Sequence, residues 1–137
     1  MFDIRIKEVP LEGIRSPDQL AAFVLKSLGL TSLKDTGDVR LLLALMNHKE
    51  GLKVDEIQQE AGLGQTATYA RIRKFVEAGL IYKARGAFYK LRERTLAETL
   101  DFRVRKDIER VFAGVVEVGK ELDDVQARQG RTKGTDR

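Results

Sequence analysis

Seven apolar residues near the C-terminus set the first condition on the fold. Val104, Ile108, Val111, Val115, Val118, Leu122 and Val125 follow one another at steps of 4, 3, 4, 3, 4 and 3 residues. That is the a/d seam of a coiled coil over three heptads, with Ile108, Val115 and Leu122 at a and the other valines at d. Leu96, Leu100, Phe102, Phe112 and Val116 widen the stripe. The pattern predicts a helix from about 94 to 126, a rod of roughly 50 Å at 1.5 Å per residue. The roughly 90 residues before it are too few to cover such a rod. Self-association along this seam is the economical expectation, and the alternative is an intramolecular bundle with a helix at 17–28. Gly114 and Gly119 each lower helix propensity by roughly 1 kcal/mol, which reads as a close backbone approach or a bend.

The chain has 137 residues, 42% hydrophobic and 34% charged, which suits one small domain plus an oligomerising extension. No run approaches the roughly 18 consecutive apolar residues of a membrane span, so no membrane partner is expected. Met1-Phe2-Asp3-Ile4-Arg5 alternates apolar and charged residues, unlike a signal peptide, and a cytoplasmic location is the default expectation. Cysteine is absent and His48 is the single histidine. Disulfides, thiol nucleophiles and zinc clusters of the usual kind are thereby excluded, and neither a metal nor a cofactor is expected. Charge gives the positive lead. Residues 65–92 hold Arg71, Arg73, Lys74, Lys83, Arg85, Lys90 and Arg92 against Glu77 alone, a local excess of +6 in a chain whose total is +4. So local a basic patch is the footprint of a polyanion partner.

Four sections are expected: an N-terminal arm and helix over 1–30, a helical domain with a hairpin over 31–92, the long helix over 93–126, and a disordered basic tail over 127–137. In residues 2–9, Phe2, Ile4 and Ile6 alternate with Asp3, Arg5 and Lys7, as in a half-buried strand or an extended arm. Ser16-Pro17-Asp18-Gln19 reads as a capping box with proline at the first helical position. The helix it opens shows Leu20, Phe23, Val24 and Leu28 on one face and stops at Gly29. A second helix, from after Thr36 to about Asn47, carries Val39, Leu42, Leu43 and Met46, with Leu41 and Leu45 as a second stripe. His48 lies at its end, in a surface or capping position.

A short helix over about Val54 to Ala61, the turn Gly62-Leu63-Gly64 and a longer helix over 65–78 form a helix-turn-helix pattern. On the longer helix Thr68, Ile72, Phe75 and Gly79 share the inward face. Thr66, Ala70, Arg73, Lys74 and Glu77 occupy the opposite one, with Tyr69 at its edge. Two β-prone runs then flank Arg85-Gly86, predicting a hairpin over 81–91 with those two residues as its loop. That register pairs Ala84 with Ala87, Lys83 with Phe88 and Tyr82 with Tyr89. It lays Leu80, Tyr82, Ala84, Ala87, Tyr89 and Leu91 on the helices and leaves Ile81, Lys83, Phe88 and Lys90 outside.

Over about 38–92 this order resembles the winged helix-turn-helix regulators, most closely the MarR-like and TrmB-like groups common in bacteria and archaea, and an archaeal member is the expectation. Val54-Asp55-Glu56-Ile57 through Gly62-Leu63 looks like their second helix, and Thr68 through Gly79-Leu80-Ile81 looks like their recognition helix with its closing Gly-Leu-Ile. The turn reads Gly64-Gln65-Thr66-Ala67 where the family more often opens the helix with serine or threonine. The resemblance implies a mainly α fold with a small β-hairpin, a winged domain plus a long C-terminal dimerisation helix. It further implies a homodimeric, sequence-specific double-stranded DNA-binding transcription regulator, with one recognition helix per protomer in successive major grooves and each wing beside a minor groove. The residues fit that physics. Arg73 is suited to guanine and Gln65 to adenine. Thr66 and Tyr69 offer hydroxyls to phosphates or base edges, and Arg71 and Lys74 suit phosphates. Ala70 sits mid-face without a hydrogen bond to give. Lys83, Arg85 and Lys90 put cations on the wing, with Arg85 at the tip suited to a narrow minor groove. Four or five phosphates neutralised per half give a log–log salt slope of roughly −7 to −8.

Each reading has a plainer counterpart. Arg73 can pair with Glu77 one turn on, Tyr69 can be packing, and the tail cations Arg128, Arg131, Lys133 and Arg137 can be solubilising only. A winged-helix adaptor that binds protein would use Ile81 and Phe88 as contact residues. A chromatin-like architectural binder would lack a preferred site. An enzyme is not expected. The serines at 16, 27 and 32 stand near no histidine, the Gly62-x-Gly64 turn lacks a P-loop lysine, and Asp55, Glu56 and Glu60 lie on an exposed helix. Nothing in the residues selects a small-molecule effector.

Overall fold

The computed structural model describes residues 2–11, 13, 16–31 and 36–133, with side chains through 130. It is mainly helical, with one two-stranded antiparallel hairpin, and divides into two units, Met1–Val104 and Arg105–Arg137.

The first unit opens with an extended arm, then α1 (Pro17–Ser27), α2 (Gly37–Met46), α3 (Val54–Ala61), α4 (Gln65–Glu77), β1 (Ile81–Ala84), β2 (Phe88–Leu91) and α5 (Leu96–Thr99), ending in a π-helical turn, Leu100–Val104. α1 starts as its residues dictate. Ser16 Oγ accepts from the Gln19 amide at 3.2 Å and Gln19 Oε1 accepts from the Ser16 amide at 3.0 Å, satisfying two orphan donors reciprocally. Its C-terminal stop, Gly29, has φ +71°, and a Cβ there would lie 2.6 Å from the carbonyl oxygen of Arg5. The arm passes over that glycine. Amides of Arg5 and Lys7 donate to Leu28 and Ser27, and that of Asp3 to Glu77 at the end of α4. Residues 2–9 are thus an arm tied to helix ends, and among the described residues no strand pairs with it. The buried stripe of α1 is Ala21, Leu25 and Leu28, rotated from the expected one. Leu20 is exposed, while Phe23 borders Val9, Pro10 and Leu11 of the arm. Two neighbours share this helix, α2 on one side and the arm on another, so a single-stripe reading misplaces it.

α2 is the hub, packed against α1, α3 and β2. Val39, Leu41, Leu42, Ala44 and Leu45 are buried, with Met46 exposed at its end. α3 ends at Gly62 in the left-handed region, φ +64°. Arg40 of α2 donates from Nε to the Ala61 carbonyl at 2.6 Å, satisfying one of the last free carbonyls of α3 and holding the turn before α4. α4 buries Thr68, Ile72 and Phe75, the expected inward face. The Thr68 hydroxyl is accommodated in that core because it donates to the Gly64 carbonyl one turn back, at 2.8 Å.

The hairpin departs from the expected register by one residue. Ala84 faces Phe88, Lys83 faces Tyr89, Tyr82 faces Lys90 and Ile81 faces Leu91. The loop is Arg85-Gly86-Ala87, with positive φ at both Gly86 and Ala87 and the Ala87 amide donating to the Ala84 carbonyl. The added loop residue inverts β1. Ile81 is 1% exposed, while Tyr82 points away from the core. Leu52, between α2 and α3, exchanges two backbone hydrogen bonds with Tyr89, pinning β2 to the helices.

The helix expected from 94 is interrupted. α5 is capped by Thr95, whose hydroxyl accepts from the Glu98 amide. After the π turn, Val104 is 1% exposed. This head residue of the expected seam belongs to the core of the first unit.

The second unit is α6 (Arg105–Lys133), about 43 Å long at 1.5 Å per residue. It runs unbroken through Gly114 and Gly119, where an added Cβ would meet nothing of this chain within 4 Å. The tail expected to be structureless from 127 is helical through Lys133, because Ala127, Arg128 and Gln129 are good helix formers and extending an existing helix is easy. Residues 134–137 lie outside the described ones. Val111, Phe112, Val115, Val116, Val118, Leu122 and Val125 are all exposed. Among the described residues no helix is long and apolar enough to cross a membrane.

Candidate nucleic-acid interface

The two sides of α4 differ in what holds them. Gln65, Thr66, Tyr69, Ala70 and Arg73 are exposed along one side, at the three- and four-residue steps that make a helix face. Tyr69 is 48% exposed. Among the described residues the side chains of Gln65, Thr66, Tyr69 and Arg73 make no hydrogen bond or ion pair, so the Arg73–Glu77 pair is not formed.

Arg71 and Lys74, expected on phosphates, are engaged elsewhere. Both reach Asp38, the second residue of α2, whose side chain is 0% exposed. Lys74 Nζ donates to Asp38 Oδ2 at 2.7 Å, and Arg71 Nε lies 3.4 Å from Oδ1. Arg71 also reaches the Ala67 carbonyl of its own helix at 3.4 Å. Gly37 makes room for this arrangement: a Cβ there would sit 2.7 Å from Arg71 Nε. The physical reason is position. Residues 71 and 74 flank the buried line through Thr68, Ile72 and Phe75, so their long side chains lie along the α2 contact. A buried carboxylate needs partners, and these two cations supply them. Sequence reasoning missed Asp38. Its one signal was an acid at the start of a helix whose residues from Val39 to Met46 are apolar apart from Arg40, where the helix dipole also favours a negative charge.

The hairpin carries the remaining cations. Arg85 is at the tip and exposed, Lys83 is exposed with its ammonium 6.0 Å from the Tyr89 ring centre, and Lys90 is half-buried. Arg92 closes the hairpin base, donating to the Gly79 carbonyl from its side chain and to Leu80 from its amide. Lys53, outside the expected set, lies over the Phe88 ring at 5.2 Å, a cation–π contact that adds a charge beside the hairpin. Of the seven basic residues in 65–92, then, Arg71, Lys74 and Arg92 are structural, while Arg73, Lys83, Arg85 and Lys90 make no ion pair among the described residues. Of the two contact residues expected of an adaptor surface, Ile81 is buried and Phe88 is half-exposed.

His48 sits where expected, at a helix end. Its Nε2 lies 3.1 Å from Glu60 Oε1 and its Nδ1 3.7 Å from Glu50. With Glu56 and Gln59 it lines an acidic cleft of about 550 Å³. No group of three or more His, Asp or Glu suited to a metal occurs among the described residues. Comparison with protein families, curated proteins and solved structures returns no match for this chain.

Proposed function

We propose that this protein is a homodimeric, sequence-specific double-stranded DNA-binding transcription regulator built on a winged helix-turn-helix. The carrying observation is the asymmetry of α4: one side clamped to α2 through Asp38, the other exposed with Gln65, Thr66, Tyr69 and Arg73 unengaged. A helix held rigidly from behind can present fixed donors to base edges without losing side-chain and backbone freedom at the moment of binding. In this reading α4 enters the major groove. Arg73 donates a fork of hydrogen bonds to guanine O6 and N7, and Gln65 pairs with adenine. Thr66 and Tyr69 address phosphates or base edges, and Ala70 offers only its methyl group. Lys83, Arg85 and Lys90 neutralise phosphates beside the hairpin, with Arg85 reaching toward the minor groove. The α3–turn–α4 order, the hairpin and the Leu52–Tyr89 bridge support the winged reading. The exposed seam of α6 supports the dimer.

Selection of bound fragments from genomic DNA tests binding and specificity together. The expected result is a recurring two-fold-related site, bound more weakly by Arg73→Ala and Arg85→Ala. Fragments without a shared site would make the protein a general architectural binder, and no bound fragments at all would overturn the proposal.

A further inference from the structure

We infer that α6 pairs with α6 of a second copy in antiparallel orientation, in the register that sets Val115 beside the partner's Val118. The inference rests on the self-association proposed above and specifies its geometry. The seam from Val111 to Val125 lies on a helix whose apolar side chains stay uncovered, Val118 to 64% and Leu122 to 59%, with Ile108 half-covered at its head. In an antiparallel pair each a position faces a d position. This register stacks Ile108 on the partner's Val125, Val111 on the partner's Leu122, and Val115 on the partner's Val118. Two-fold symmetry repeats each contact, giving a run of apolar layers with no polar residue in it.

The flanking positions decide the direction. Antiparallel pairing brings like-lettered flanks together. In this register Asp107 falls opposite the partner's Arg128, twice per dimer. Phe112, 64% exposed, falls opposite the partner's Gly119, where the helix has open space. The bulkiest exposed side chain of the helix thus meets a position with none, which also accounts for a helix-weakening glycine. A parallel pair sets Asp107 opposite the partner's Phe112 and Glu121 opposite the partner's Gln126. It forms neither opposite-charge pair and leaves Gly114 facing Gly119 across a gap. The seam agrees. Parallel two-stranded coils favour β-branched residues at a and leucine at d, whereas here Val111, Val118 and Val125 occupy d and the leucine is at a. Mixed a–d layers remove that conflict. Asp107, whose side chain is only 22% exposed, already contacts Arg110 at 3.5 Å, and Arg128 contacts the Asp124 carbonyl at 3.3 Å, so the pair across the interface forms in exchange for contacts within each chain.

The chain lacks cysteine, so cross-linking reads the geometry directly. Ile108→Cys and Val125→Cys are made singly, mixed under reducing conditions, and oxidised. In the antiparallel register the two copies of residue 108 stand about 25 Å apart, far beyond the roughly 7 Å that a disulfide tolerates. Neither variant alone should cross-link, and the mixture should. Cross-linking of each variant to itself would show a parallel pair and overturn the inference, as would no cross-linking in the mixture. As a second readout, Asp107→Arg and Arg128→Asp should each weaken the dimer roughly tenfold, by turning two ion pairs into like-charge contacts, and should restore it when combined. No restoration would contradict the register. Sedimentation of the parent chain should give a dimer. A monomer would remove the pairing itself and a tetramer would overturn the two-stranded geometry. None of these readouts uses DNA, so their failure is separate from that of the DNA-binding proposal.

Discussion

Arg71→Ala combined with Lys74→Met separates cations that hold α4 from cations that face outward. Asp38 is fully buried, with Lys74 Nζ at 2.7 Å and Arg71 Nε at 3.4 Å. At an effective dielectric of about 20, the nearer contact represents a gross attraction of about 6 kcal/mol, most of which offsets the desolvation of the carboxylate. Lys74→Met alone removes one charge-assisted hydrogen bond and leaves Arg71 in place, for an expected loss of about 1.5–3 kcal/mol. The double variant strands a buried charge, and the loss rises to about 3–5 kcal/mol. For a unit of this size that is roughly 12–20 °C in Tm. Adding Asp38→Asn should recover part of the loss, because the acid is neutralised along with its partners. Tyrosine fluorescence during urea or thermal unfolding follows the first unit selectively. The chain has three tyrosines and no tryptophan, and Tyr69, Tyr82 and Tyr89 all lie in that unit. Arg73→Ala should unfold within about 0.5 kcal/mol of the parent. A double variant as stable as the parent, or an Arg73→Ala protein that unfolds as early as the double, would refute the division between clamping and outward-facing cations.

Two glycine substitutions probe the same framework. Gly37→Ala places a Cβ 2.7 Å from Arg71 Nε, so the guanidinium must leave. Despite the roughly 1 kcal/mol that alanine adds to helix propensity, a net destabilisation of about 1 kcal/mol is expected in urea unfolding, and a more stable variant would contradict the seat assigned to Arg71. Gly29→Ala combines a φ of +71° with a Cβ 2.6 Å from the Arg5 carbonyl oxygen. The strained backbone costs about 1–2 kcal/mol, and the arm should detach, seen as faster amide hydrogen exchange at Arg5 and Lys7. Unchanged exchange there would mean that the arm is held otherwise.

What could be read from the residues was local chemistry. Ser16-Pro17 and Gln19 announce the start of α1, Gly62 the end of α3, and the turn to α4 follows from them, because caps act within one helical turn. The inward line Thr68, Ile72 and Phe75 was equally plain, since only one side of α4 is covered. What escaped depends on several elements at once. Ala87 at φ +64° is a conformation that alanine avoids on its own, so the loop reads as two residues and the strand pairing shifts. Asp38 has no local signal of burial. Its partners stand 33 and 36 residues away in sequence, brought near only once the first unit has folded. The seam lost its first member because the π turn at Leu100–Val104 ends the first unit inside what periodicity alone treats as continuous helix.

The salt dependence of duplex DNA affinity tests the central claim most directly. With Arg71, Lys74 and Arg92 committed to the fold, Arg73, Lys83, Arg85 and Lys90 remain on each copy. Eight phosphates neutralised by a dimer correspond to a slope of about −7 for log affinity against log salt. The predicted result is a line near that slope, made shallower by about one unit for each cation removed per dimer. A response that stays flat from low to physiological salt would contradict the account.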